Sequence, residues 1–336
     1  MPRTLWALAA RRTITALFAS AILAGCQSAG PTLDAADATP PKRIVSQGPA
    51  TTVVANLYQC PVKVPNHRIS AVGQITADGA VITVPAATAL QKGGTPSGTD
   101  LYNECNQVTP AKSSEVSAAS VPVVDIDADG DVVTGYIVSD NYFEFYVNGR
   151  LIVADPTPFT PFNSTIVKFR VKKPYTYAFL LVDWEEHLGM GMELFQGNPW
   201  HPGDGGLIAR FSDGTVTDSS WKAQSFYIAP LNDPKEVVER GNIHDTTALG
   251  RVHPVAKKPN CREKCYAVHY PIPANWRSSR FNDSLWPRAY EYTDVDIGVN
   301  NLPAYTRYPE LFEGSRWIWT VNLVFDNLVI ARKTVR

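Results

Sequence analysis

Proline and glycine interrupt this chain so often that a fold built on long helices is disfavoured. Its 336 residues include 26 prolines and 22 glycines, and no long stretch has the apolar spacing of an amphipathic helix. Proline removes a backbone hydrogen-bond donor and glycine weakens regular elements, so both mark turns between short elements. Because 44% of the residues are hydrophobic, the chain can still bury a full core. These features predict an all-β protein of short strands and loops.

The central part of the chain has the pattern of short strands. β-Branched and aromatic residues, which are favoured in strands, fill the segments 142–147, 150–153, 166–171 and 175–182. Asn148-Gly149 separates the first two segments and is typical of a two-residue hairpin turn. Several such strands at regular spacing favour a β-sandwich or jelly roll.

Two passages carry a family resemblance. Residues 140–149 (DNYFEFYVNG), and residues 281–289 (FNDSLWPRA) followed by Trp317-Ile-Trp319 and Arg332, resemble stretches of galactose-binding-like jelly-roll domains. The resemblance implies that Phe281, Asp283 and Trp286 lock an entry loop onto the sandwich. The second passage usually precedes the first in those domains, so this jelly roll is either circularly permuted or made of two related units. The resemblance further implies a carbohydrate-binding module without catalysis.

Shifts in composition divide the chain. Residues 26–42 are small, polar and proline-ending, so they are expected to form a flexible tether that reaches about 50 Å when fully extended. Residues 43–110 contain short β-like runs with an Asp78-Gly79 turn and predict a small β-rich region. After a linker or surface loop, residues 120–336 are expected to form the sandwich, with a polar insertion near 232–260.

The N-terminus has the three parts of an export signal. Arg3, Arg11 and Arg12 form a basic region, and residues 13–22 are apolar. This apolar stretch is too short to span a bilayer, which requires about 20 residues. We therefore expect residues 1–25 to be removed as a signal peptide. The pattern leaves open whether export follows the general secretory or the twin-arginine route.

The signal ends in a candidate lipidation site. Residues 23–26 (LAGC) resemble the lipobox of bacterial lipoproteins, in which the cysteine, here Cys26, becomes the lipidated first residue. Gln27, rather than Asp, follows the cysteine, and in lipoproteins of double-membraned bacteria this implies transfer to the outer membrane. The expected location is the cell envelope, with the lipid anchor holding the protein on the membrane.

The charge balance argues against nucleic acid as a partner. Three of the 31 basic residues and none of the 32 acidic residues lie in 1–25, so the mature chain carries 28 basic residues against 32 acidic ones. A mildly acidic chain provides no basic field for phosphate backbones.

Four cysteines remain once Cys26 is assigned to lipid. Cys60, Cys105, Cys261 and Cys265 are an even number for an oxidising compartment, and three pairings are possible. We favour Cys60–Cys105 and Cys261–Cys265, because each pair falls within one apparent structural region. No second cysteine or histidine pair accompanies Cys261 and Cys265 at zinc spacing, so disulfides are favoured over a metal site.

An acidic loop follows the segment 175–182 and is the densest set of candidate acid, base or ligand groups: Asp183, Glu185, Glu186, His187, Glu193, His201 and Asp204. Paired carboxylates can hydrolyse glycosides, and Asp183, Glu185 and Glu186 are the candidates if the protein is an enzyme. A divalent metal held by carboxylate and imidazole, and a solvated loop of ion pairs, are alternatives that the sequence leaves open. Serine-hydrolase, zinc-protease and dinucleotide motifs are missing.

Tryptophans near this loop are candidates for sugar contact. A sugar site needs an aromatic face for the ring and convergent polar groups for the hydroxyls. Trp184, Trp200 and Trp221 could supply the face, with His201 and Asp204 as polar partners. Tryptophan in a sandwich is, however, usually part of the core.

Residues 125–131 (DIDADGD) resemble a calcium loop. Asp125, Asp127, Asp129 and Asp131 alternate around a turn that contains glycine, which makes calcium a candidate ligand. The twelfth position is Tyr136 rather than the bidentate glutamate of an EF-hand, so a plain aspartate-rich turn is the alternative.

The sequence as a whole favours a lipid-anchored envelope protein that binds carbohydrate or another envelope ligand without catalysis. A glycan-directed hydrolase that uses the acidic loop and a structural or assembly lipoprotein are the competing hypotheses. The oligomeric state is not predicted.

Overall fold

The runs of β-branched and aromatic residues form strands in the computed structural model, which describes residues 42–65, 67–93, 98–194, 200–250 and 262–336. The strands of the first half are β1 (Ile44–Gln47), β2 (Thr51–Val54), β3 (Val72–Ala77), β4 (Ala80–Val84), β5 (Thr99–Tyr102), β6 (Val123–Asp125), β7 (Asp131–Asp140), β8 (Tyr142–Val147) and β9 (Arg150–Ala154). Those of the second half are β10 (Ser164–Val171), β11 (Tyr175–Val182), β12 (Gly206–Phe211), β13 (Lys222–Leu231), β14 (Val238–Arg240), β15 (Ile243–Asp245), β16 (Tyr266–His269), β17 (Tyr290–Tyr292), β18 (Trp317–Trp319) and β19 (Asp326–Val335).

Helical structure in the described residues is limited to single turns. The α-helices are α1 (Asp294–Ile297) and α2 (Pro303–Thr306). The 3₁₀ turns are Leu90–Lys92, Ser113–Glu115, Ala118–Ser120, Pro234–Glu236, Thr247–Leu249, Arg262–Lys264, Val299–Asn301 and Pro309–Phe312. Across these ranges, no helix combines the length and the apolar character that a membrane crossing requires.

Two seven-stranded sheets form the body of the fold. Sheet A has the order β1-β16-β13-β19-β11-β8-β9, and sheet B has the order β17-β18-β12-β7-β10-β5, with β6 also paired to β10. The ladders are antiparallel except for the β6–β10 pair. The predicted hairpin is confirmed, because β8 and β9 pair around Asn148 and Gly149, which have φ values of 50° and 86°.

The core lies between the two sheets and is rich in aromatic rings. Tyr177 of sheet A stacks on Phe211 of sheet B with ring centroids 4.5 Å apart. Phe145 of sheet A contacts both Phe211 and Phe169 of sheet B, at 5.4 and 5.8 Å. The prediction of an all-β sandwich is therefore confirmed.

The segment 43–110 is joined to both sheets. β1 pairs with β16 in sheet A, and β5 pairs with β10 in sheet B. Only β2, β3 and β4 form a sheet of their own, in which the predicted Asp78-Gly79 turn connects β3 to β4. The predicted Cys60–Cys105 disulfide is present, with a Cα–Cα distance of 5.0 Å.

Arg332 of β19 holds the loop around Phe281, Asp283 and Trp286. Its guanidinium donates to the Asp283 carboxylate at 2.8 Å and lies 5.0 Å from the centre of the Phe281 ring, which in turn packs on Trp286. The loop is therefore fixed to the central strand of sheet A by one buried cation.

Several sequence predictions concern residues outside the described ranges. Cys26, the signal peptide and the tether up to residue 41 lie there, as do Cys261 and residues 251–260 of the predicted insertion. The described part of that insertion contains the β14–β15 hairpin. Cys265 is fully buried, and its pairing with Cys261 stays a prediction.

Candidate functional site

Three strand ends bring carboxylates together at one end of the sandwich. Asp140 is the last residue of β7, Asp183 follows the last residue of β11, and Asp204 lies two residues before β12. The ladders bring these ends close together, because Gly206 at the start of β12 pairs with Asp140. We call Asp140, Asp183, Glu193 and Asp204 the carboxylate group.

A small cavity of about 70 Å³ lies beside this group. It is lined by Arg68, Asp140, Asn141, Thr160, Phe162, Glu193, Asp204, Ile297 and Asn301. The Asn141 side chain donates to Oδ1 of Asp140 at 2.8 Å and accepts the backbone N–H of Trp184. Asn141 therefore ties the end of β7 to the residue that follows Asp183.

Burial and crowding keep protons on the three aspartates of this group. Burial raises the pKa of Asp140, Asp183 and Asp204 well above the ordinary value, and the charge of Glu193 raises all three further. Like charges so close together in a desolvated site cannot all ionise. Neutral carboxylic acids are therefore expected here at pH values where exposed aspartates are ionised.

Arg68 is the cation of this site. Its guanidinium makes ion pairs with Glu186 and Glu193, each at 2.8 Å, and stacks 4.1 Å from the centre of the Phe159 ring. Its charge also opposes the increase in the pKa of Asp140. The sequence analysis missed Arg68, because it lies more than a hundred residues before the carboxylates that it pairs.

Two of the three candidate catalytic carboxylates, Glu185 and Glu186, are held by hydrogen bonds and an ion pair within the protein. Glu185 is buried and accepts hydrogen bonds from the backbone N–H groups of Gly189 and Met190 and from the Tyr227 hydroxyl, at 2.9 to 3.1 Å. Burial raises the pKa of Glu185 to about 7, although these donors oppose the shift. Glu186 is held by Arg68 and the Leu194 N–H. Only Asp183 belongs to the carboxylate group.

Two of the predicted sugar-contacting tryptophans are buried. Trp184 and Trp221 are 1% and 0% exposed, and their indole N–H groups donate to the carbonyls of Ala71 and Val216. Neither can offer a ring face to a sugar, so the prediction is wrong for these two. Trp200 is 38% exposed and stacks on His187 at 4.7 Å.

His201 and Asp204 are the other predicted ligand-binding residues. His201 is buried, and its Nδ1–H donates to the Pro202 carbonyl at 2.9 Å. Its Nε2 has no hydrogen-bond partner within the described ranges. Asp204 lines the small cavity.

The aspartate-rich turn is engaged by cations of the protein. Asp125 pairs with Arg170 at 2.9 Å, Asp129 pairs with Lys172 at 2.6 Å, and Asp127 accepts the Lys172 backbone N–H. Within the part of the chain that the structure describes, no group of three or more histidine, cysteine or acidic residues is arranged to hold a metal ion. Calcium binding by Asp125, Asp127, Asp129 and Asp131 stays a prediction.

The small cavity limits what the carboxylate group can do. Ligand sites for organic molecules usually enclose about 300 to 1,000 Å³. A cavity of about 70 Å³ has room for a few water molecules but not for a sugar ring. The geometry therefore gives no support to glycan hydrolysis by the acidic loop.

A second and larger depression lies on the outer face of sheet B, and we call it the outer-face groove. It encloses about 660 Å³ and is lined by Ala118, Ala119, Thr134, Tyr136, Lys168, Arg210, Phe211, Ser212, Gly214, Val216, Leu311 and Glu313. The strands β7, β10 and β12 form its floor. The 3₁₀ turn Ala118–Ser120 and residues 311–313 border it.

The side chains of the groove retain unused hydrogen-bonding capacity. Within the described residues, the Tyr136 hydroxyl, the Lys168 ammonium and the Glu313 carboxylate make no hydrogen bond or ion pair to the protein. Arg210 makes one contact, to the Glu310 carbonyl at 3.3 Å. Tyr136 and Thr134 alternate along β7 with the buried Val133 and Ile137, so strand periodicity could have identified the outward positions.

No family model, curated protein or solved structure matches this chain.

Proposed function

We propose that this protein is a lipid-anchored component of the cell envelope that binds carbohydrate in the outer-face groove, without catalysis. The observation that carries the proposal is the groove itself. Its volume of about 660 Å³ falls within the range of ligand pockets, and it combines an aromatic ring with polar groups that the protein leaves unused.

The chemistry of the groove suits a sugar. Tyr136 is partly exposed and stands on the sheet face, where its ring can cover the apolar side of a pyranose. The hydroxyl of Tyr136, the carboxylate of Glu313 and the cationic groups of Lys168 and Arg210 are available to the sugar hydroxyls. Because the floor consists of paired strands, the site is largely formed before a ligand arrives, which lowers the entropic cost of binding.

Membrane attachment is the part of the proposal that rests on sequence. The LAGC tetrapeptide at 23–26 supports lipidation of Cys26, and Gln27 supports the outer membrane as the destination. A short tether before β1 would keep the sandwich near the membrane surface, so its ligand would be an envelope glycan or one diffusing close by.

Binding of the full-length protein to a panel of immobilised glycans tests the carbohydrate proposal. The protein is purified in a detergent without a sugar headgroup. We expect Tyr136→Ala to weaken the observed binding at least about tenfold, since it removes the aromatic face. Tyr290→Ala is the matched control, because Tyr290 is exposed on β17 of the same sheet and does not line the groove. Absence of binding to every glycan would overturn the proposal, and equal losses in both variants would place the site elsewhere.

Fractionation of cells that produce the Cys26→Ser variant tests the anchor. We expect the wild-type protein in the outer-membrane fraction, labelled by a fatty-acid probe, and the variant without label. A wild-type protein without label would refute the lipidated form.

A further inference from the structure

We infer that the outer-face groove selects saccharides that carry an anionic group, a carboxylate or a phosphate. This inference rests on the proposed function and specifies its ligand class. It is carried by Lys168 and Arg210, the two cations that line the groove on either side of Tyr136.

The sheet register fixes where these two cations stand. Arg210 of β12 pairs with Tyr136 of β7, and Lys168 of β10 pairs with Thr134 of β7. Strand spacing of about 4.8 Å and a rise of about 3.4 Å per residue place the two Cα atoms about 12 Å apart, diagonally across β7. The long side chains thus approach a ligand on Tyr136 from opposite sides.

Neither cation is neutralised by the protein. Lys168 makes no ion pair within the described residues, and the contact of Arg210 is to a backbone carbonyl rather than to a carboxylate. Two neighbouring cations differ, because Arg170 of β10 pairs with Asp125, and Lys172, which follows β10, pairs with Asp129. Among the described residues, the groove therefore holds two cations that no acidic side chain pairs with.

The burial of the two cations strengthens their attraction for an anion. Both side chains are only partly exposed, so salt screens them less than it screens freely solvated charges. Arginine can bind a carboxylate or phosphate through two parallel hydrogen bonds, and lysine adds a point charge. Glu313 is the acidic residue in the groove lining, and its side chain is exposed. Together with Lys168 and Arg210 it gives the lining a net positive charge.

Matched ligands test this inference on the full-length protein. A tetrasaccharide of galacturonic acid is compared with its methyl ester, which has the same shape and no charge. A phosphorylated mannan is compared with the same mannan after dephosphorylation. We expect the charged member of at least one pair to bind about tenfold more tightly, and the preference to shrink as NaCl rises from low to high concentration.

Charge-removing variants complete the test. Lys168→Met and Arg210→Met each remove the charged group and keep an apolar side chain of similar length. Each should weaken binding of the charged ligand about tenfold, while binding of the neutral ligand changes little. Arg170→Met is the matched control, because Arg170 lies on the same sheet outside the groove lining. It should leave the preference intact.

The outcomes separate this inference from the function on which it rests. Equal binding of charged and neutral ligands, with both lost in Tyr136→Ala, would overturn the anionic preference and leave carbohydrate binding standing. Preference for the uronate alone or for the phosphate alone supports the inference and identifies the anion. Absence of binding to all four ligands and to the wider glycan panel would overturn both proposals.

Discussion

The backbone of Gly203 packs directly against the carboxylate of Asp183. A Cβ atom on Gly203 would lie 2.8 Å from Oδ1 and 3.0 Å from Oδ2 of Asp183, both closer than ordinary contact distance. The loop before β12 can approach the end of β11 only because residue 203 has no side chain. This contact joins the two segments that carry Asp183 and Asp204.

We therefore expect Gly203→Ala to lower the free energy of unfolding by about 1 to 3 kcal/mol, the usual cost of overpacking a buried site. Chemical denaturation measures the change. In an Asp183→Ala background the same substitution should cost clearly less, since the opposing carboxylate is gone. An equal cost in both backgrounds would mean that the contact with Asp183 is not the cause.

Arg68→Met should destabilise the fold by about 3 to 5 kcal/mol, because it leaves buried carboxylates without their cation. The side chains of Arg68, Glu186 and Glu193 are only 10%, 24% and 14% exposed. Arg170→Met is the control, since Arg170 and Asp125 are 36% and 66% exposed and such a pair contributes at most about 1 kcal/mol. Similar losses in urea denaturation of the two variants would contradict the prediction.

The raised pKa values of Asp140, Asp183 and Asp204 should make stability fall as pH rises. A carboxyl whose pKa is raised by folding keeps its proton in the folded state over a range where the unfolded chain has lost it, so the free energy of unfolding decreases with pH. His244 and His269 act in the opposite direction below about pH 6.5, because burial lowers the pKa of each to about 4. The carboxyl contribution is therefore best measured between pH 6.5 and about 8.5.

In that range we expect Asp204→Asn, which mimics the neutral acid, to raise the free energy of unfolding at pH 8 and to flatten its dependence on pH. Asn301→Ala is the control, because Asn301 lines the same cavity without carrying charge. A pH dependence in the Asp204→Asn variant as steep as that of the wild type would contradict the raised pKa of Asp204.

Removal of the Cys60–Cys105 disulfide should also destabilise the protein. The bridge spans a sequence separation of 45 residues. A loop of this length predicts a loss of about 4 kcal/mol from the increased entropy of the unfolded chain. The Cys60→Ala/Cys105→Ala double variant, compared with the wild type by chemical denaturation, checks this value. A loss below about 1 kcal/mol would show that the bridge constrains little.

Local sequence signals predicted much of the fold. Asn148-Gly149 and Asp78-Gly79 specify tight turns because glycine and asparagine or aspartate tolerate positive φ, and the structure has both turns between paired strands. The all-β class follows from the same signals. Cys60 and Cys105 could be paired because they fall within one region of the sequence and an oxidising compartment was expected.

The candidate site could not be predicted in the same way, since it depends on long-range pairing. Asp140 and Asp204 meet only because β7 and β12 are neighbours in sheet B. Whether Trp184 faces solvent or core depends on what covers it, and its hydrogen bond goes to Ala71, more than a hundred residues away. Composition marked the acidic loop as unusual but could not separate the structural Glu185 from Asp183.

The position of β19 has a consequence for the order in which the sandwich can form. In sheet A, β19 lies between β13 and β11. The partner of β1 is β16, with Ile44 paired to His269, so β1 cannot pair until β16 has been made. While the chain is being made, β11 and β13 would each expose an unpaired edge until residues 326–335 are added, and exposed edges can pair with other chains. We therefore expect slow folding, since the strand at the centre of sheet A comes later in the chain than every other strand of that sheet.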